Sequence, residues 1–80
     1  MLWYVKKQTE DDNNILINYS YEENKNCDGL LKYNKKSDEI IIEKMSQGAD
    51  EFATQWLFQH IYRLIDKNEL TQNKRIIAIG

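Results

Sequence analysis

Ile15-Leu16-Ile17-Asn18-Tyr19-Ser20-Tyr21 places an apolar or aromatic residue at every second position, a period of two that an extended chain resolves into two faces. Ile15, Ile17, Tyr19 and Tyr21 fall on one face; Leu16, Asn18 and Ser20 fall on the other. The segment reads as a strand with one side turned to a core. Toward the N-terminus, Asp11-Asp12-Asn13-Asn14 is a cluster whose side chains bond their own backbone in turns. Before it, Leu2-Trp3-Tyr4-Val5 is rich in β-formers and stops at Lys6-Lys7. Toward the C-terminus, Asn26-Cys27-Asp28-Gly29 carries an Asp-Gly turn signal and Leu30 to Asn34 reads as a third strand. Asn34-Lys35-Lys36-Ser37-Asp38 then turns into a fourth, Glu39 to Met45. The first half of the chain is a four-stranded meander.

From Ala49 the period changes. Ala49, Ala53, Trp56, Leu57, Ile61 and Leu64 fall on one side of a helical wheel, with Glu51, Gln55, Gln59 and Asp66 opposite. Gly48 is the expected N-cap, Asp50 and Glu51 suit the positive end of the helix dipole, and Asn68 can take a left-handed stop after Lys67. The span is about 19 residues, or about 28 Å at 1.5 Å per residue. Arg75 to Ile79 is a final β-branched strand. The expectation is therefore one α+β domain over 1–80, ββββαβ, with a mainly antiparallel five-stranded sheet and one amphipathic helix on one face. The helix carries the chain back along the sheet, so the last strand runs with the fourth and pairs beside the first, giving the order 5-1-2-3-4. The face bearing Ile15, Ile17 and Tyr19 should take the helix, with Trp3 and Trp56 as core anchors.

Eighty residues limit the chain to one small core, and the absence of proline with only three glycines leaves no linker. Eleven Lys and Arg against thirteen Asp and Glu leave a net charge of −2, which gives no general attraction to phosphate backbones. The basic pairs Lys6-Lys7, Lys35-Lys36 and Lys74-Arg75 each flank a turn or strand end, where lysines keep edges solvated. No apolar run approaches the roughly 20 residues that span a bilayer. One cysteine and no recognisable leader point to a cytoplasmic chain.

Chemistry is sparse. A nucleophile and base would have to be Cys27 and His60, yet Cys27 falls in a turn and His60 near the middle of the apolar helix face. One His and one Cys do not make a zinc site. Asn24 to Gly29 resembles the first half of a calcium loop, but the twelfth position is Lys35 where a Glu is required, and a β-turn accounts for Asp28-Gly29. The neighbours Asp11-Asp12, Glu22-Glu23 and Asp50-Glu51 read as solvated surface and helix start. No glycine-rich phosphate loop is present. The expectation is no catalytic residue, no cofactor and no metal. Tyr19, Tyr21 and Tyr33 on adjacent strands offer a stacking platform for single-stranded nucleic acid as the alternative function.

Leu2 to Lys6, Tyr19-Ser20-Tyr21, Asp28 to Asn34, Phe58 to Leu64 and the Arg75 to Gly80 ending together resemble a group of short uncharacterised proteins of clostridia-like Gram-positive bacteria. The resemblance spans most of the chain, implies a complete bacterial cytoplasmic protein, and brings no activity, cofactor or site.

The leading functional expectation comes from surplus apolar surface. Leu16, Ile41, Phe58, Tyr62 and Ile65 lie outside any single helix-on-sheet core and mark a candidate interaction surface. A protein-interaction or oligomerisation module follows, as a homodimer or with another protein, without membrane or metal.

Overall fold

The computed structural model describes residues 1–80. Its elements are β1 (Leu2–Glu10), β2 (Asn14–Tyr21), β3 (Gly29–Asn34), β4 (Glu39–Lys44), α1 (Glu51–Asp66) and β5 (Arg75–Ala78). One five-stranded sheet has the order β4-β3-β2-β1-β5, and every neighbouring pair is antiparallel, so β5 runs with β4 as the crossover requires. The ββββαβ α+β architecture is that read from the sequence. No helix is long and apolar enough to cross a membrane.

Register fixes the faces. Trp3 pairs with Tyr21 and Ile77, Val5 with Tyr19, Ile17 with Leu31, and Tyr33 with Ile15 and Ile40, so these side chains share the face under α1. The helix adds Leu57, Ile61 and Leu64 to this core, and Leu70 closes it from the loop beyond. The other face carries Tyr4, Lys6, Leu16, Asn18, Ser20, Leu30, Lys32 and Ile41.

β1 extends beyond the expected stop at Lys6-Lys7. Its second half pairs with the start of β2, and a one-residue slip between Lys7 and Thr9 accommodates Gln8 as a bulge. The hairpin closes on Asp11, whose Oδ1 accepts from the backbone N–H groups of Asn13 and Asn14 at 2.8 and 2.7 Å. These bonds hold the Asp11 carboxyl below its ordinary value.

α1 is shorter than expected, 16 residues, and its cap is Asp50 rather than Gly48. The Asp50 carboxylate accepts from the N–H of Ala53 at 2.7 Å, satisfying a donor that a glycine side chain would leave free. Gly48 instead supplies a left-handed turn at φ 91°. At the other end Asn68 is left-handed, φ 54°, with Asn68 N–H on the Ile65 carbonyl and Glu69 N–H on that of Leu64. This is the paired bonding of a Schellman stop.

The largest departure concerns the roll of the helix. Thr54, Leu57, Ile61 and Leu64 form its buried stripe, while Trp56, expected as a core anchor, is 51% exposed. Phe58, Tyr62 and Ile65 pack half-buried on the margin of the core, so the helix is rotated away from Trp56 and toward them. Thr54 tolerates full burial because its hydroxyl donates to the Asp50 carbonyl at 2.7 Å.

Candidate functional site

Of the five residues marked by sequence, two border one groove at the sheet edge, from opposite faces. Phe58 comes from α1 and Ile41, 49% exposed, from the open edge strand β4, where its side chain shares with Leu16 the face away from α1; both border a groove of about 450 Å³ with Ile40, Ile42, Met45, Glu51 and Gln55. Tyr62 is engaged elsewhere. Its ring meets that of Tyr33 edge-on at 6.1 Å, and its hydroxyl donates to the Asp38 carbonyl at 3.0 Å, fastening the β3–β4 turn to the helix. Ile65 packs against the core one helical segment further on, and Leu16 lies half-buried on the opposite face of the sheet.

The aromatic pair that completes the apolar surface was absent from the expected site. Phe52, 72% exposed, and Trp56 lie one turn apart on α1 with their rings edge-to-face at 6.3 Å. Gln55 borders both this pair and the Ile41–Phe58 groove, so the two apolar regions adjoin. The i, i+4 spacing of Phe52 and Trp56 was visible in the sequence. Their exposure depends on helix roll, which the apolar pattern left open because Trp56 and Phe58 flank Leu57 on either side.

The second sheet face is only partly open. The loop from Glu22 to Asp28 folds over its end, burying Ser20, Tyr4 and Cys27. Lys74 ties this loop down: its Nζ donates to the Lys25 carbonyl at 2.7 Å and lies 5.9 Å from the centre of the Tyr4 ring. Cys27 sits beside Ser20, with Ser20 Oγ 4.0 Å from its sulfur, on the face away from α1. His60 lies half-buried on α1 beside β5. The sheet therefore stands between the only cysteine and the only histidine, and no nucleophile–base pair is assembled from them.

Asp28 does not close a tight Asp-Gly turn. It ends a longer loop and bridges to the β4–α1 connection: Ser46 Oγ donates to Oδ1 at 2.6 Å, Asn24 Nδ2 to Oδ1 at 3.1 Å, and the Gln47 N–H to Oδ2 at 3.2 Å. The Ser46 bond, chiefly, holds the Asp28 carboxyl below its ordinary range. The bridge uses the carboxylate for structure, and no group of three His, Cys, Asp or Glu side chains converges as a metal site would.

The tyrosine platform is not presented to solvent. Tyr19 and Tyr33 are buried beneath α1, and Tyr21 packs its ring 4.4 Å from that of Trp3. Tyr19 receives the Ser46 N–H at 3.1 Å, and Tyr33 donates to Asp38. The hydroxyls thus serve internal bonding at the rim of the core.

Comparison of the chain with protein families, with curated proteins and with solved structures finds no match.

Proposed function

We propose that this protein is a small cytoplasmic interaction module without catalytic activity, which self-associates as a homodimer through the apolar margin where α1 meets β4. The observation that carries this reading is the exposed Phe52–Trp56 pair adjoining the groove lined by Ile42, Met45 and Phe58. Scattered apolar side chains on a surface are ordinary; contiguous aromatic and aliphatic ones are the compositional mark of an interface core. A fully buried aromatic side chain covers about 150–250 Å², and Phe52 at 72% and Trp56 at 51% exposure have half or more of that left to cover, a nucleus for the roughly 800 Å² that a stable interface takes from each partner. The short β4, flanked by this patch, leaves its outer backbone groups for a partner strand or for water.

Sedimentation equilibrium across micromolar concentrations tests the reading. A reversible dimer of the 9.6 kDa chain that Phe52→Ser and Trp56→Ser weaken is the expected result. A monomer throughout, or a dimer indifferent to both substitutions, removes the proposed homodimer interface.

A further inference from the structure

The opposite edge of the sheet has a different character. There α1 and β5 enclose a cleft of about 240 Å³ whose rim carries Arg63, Lys67 and Arg75 against a single acid, Glu69. Arg75 lies on the helix side of the sheet, since it pairs with Val5, and its guanidinium is 3.8 Å from Glu69. Neither Arg63 nor Lys67 has a carboxylate partner within salt-bridge distance. In a chain of net charge −2, this is a local positive excess of two, from three cations and one anion. The floor is apolar, formed by Leu64 and Ile77, and β5 pairs only with β1.

We propose that this cleft binds an acidic peptide segment in extended form, added as a strand along the free edge of β5. The edge offers main-chain hydrogen bonds, Ile77 and Leu64 take an apolar side chain on the inner side, and Arg63, Lys67 and Arg75, on that same side, receive carboxylates two residues before and after it, since alternate side chains of a strand share a face. A second copy of this chain fits poorly, because a two-fold axis at β5 would bring two positive rims together. A nucleic acid strand would bring matching charge but find no Phe, Tyr or Trp in the cleft on which to stack its bases, only the half-buried imidazole of His60. This site is separate from the α1–β4 margin, and its occupancy is independent of self-association there.

A short capped peptide with a glutamate two residues on either side of a central valine and serine between them is the probe, titrated at low salt into the 15N-labelled protein. Amide shifts concentrated at Arg75 to Ala78, with the outward-facing Ile76 and Ala78 amides slowed in hydrogen exchange, are the expected outcome. Arg63→Gln with Lys67→Gln, verified as folded by circular dichroism, should weaken binding about tenfold, since each exposed charge pair is modest. The same peptide with lysine in place of each glutamate should not bind. Oligothymidine that binds as tightly and moves the same amides would overturn the peptide assignment in favour of a polyanion cleft. Shifts centred on β4, unchanged affinity in the double variant, or no binding of the glutamate peptide would each overturn the site.

Discussion

The ring of Tyr19 lies so close to the bare α-carbon of Gly29, its cross-strand partner, that a methyl group at position 29 would fall 2.3 Å from Cε1. Gly29 begins β3 beside a ring with almost no freedom to retreat, because Tyr19 is fully buried and its hydroxyl takes the Ser46 N–H. Gly29→Ala should therefore destabilise the protein by about 1–3 kcal/mol through overpacking. Urea unfolding reads this directly, and a variant as stable as the parent would show that the contact yields.

Asp28 makes the corner between two loops dependent on acid. A carboxyl held below its ordinary value stabilises the folded state at neutral pH, and that contribution fades as pH falls below about 4 and the group protonates. Asp28→Asn should cost about 1 kcal/mol at pH 7, where Ser46 and Gln47 lose a charged acceptor. The gap between variant and parent should narrow as both are unfolded in progressively more acidic buffer; a gap independent of pH contradicts the assignment.

Tyr33 behaves in the opposite sense. Its bond to Asp38, reinforced by burial and the nearby negative charge, pushes the phenol up to about 12. The folded state thus favours the protonated phenol, with full benefit below about 10 and loss as pH rises toward 12. Ultraviolet titration should show Tyr33 ionising late, and Asp38→Ala should lower its ionisation point.

Trp3 and Trp56 should report separately in fluorescence. Trp3 is completely buried and Trp56 half exposed, so Trp56→Phe should remove the red-shifted, readily quenched emission and leave a blue-shifted signal from Trp3. Stability should change by no more than about 0.5 kcal/mol, as for other surface substitutions. A large loss of stability would place Trp56 in the core after all.

Asp50→Ala should cost about 1 kcal/mol, the ordinary loss of an N-cap, whereas Gly48→Ala tests only the left-handed turn before it. Circular dichroism during thermal unfolding separates the two positions. A larger effect at Gly48 would reassign the start of the helix.

The alternating Ile15–Tyr21 stretch made the fold legible because one-sided burial admits a single strand phase, and the switch to a helical period after Ala49 left one element to cover that face. Turn chemistry was legible for a local reason: Asp11 and Asn34 bond backbone groups two and three residues away. Asp28 was misread by the same logic. Its partners Ser46 and Gln47 lie 18 and 19 positions away, and no local pattern announces them.

The sequence by itself determined the element order, the antiparallel sheet and which side of β2 meets the helix, since periodicity and turn propensity act over a few neighbouring residues. Tertiary structure alone decided the roll of α1. Apolar side chains at Trp56, Leu57 and Phe58 point around more than half the helix, so only packing against Tyr33, Ile40 and Ile77 selects which of them enters the core. That choice leaves Phe52 and Trp56 outside, and it places Arg63 and Lys67 above β5. Both candidate surfaces of this protein are consequences of one rotation that no local interaction encodes.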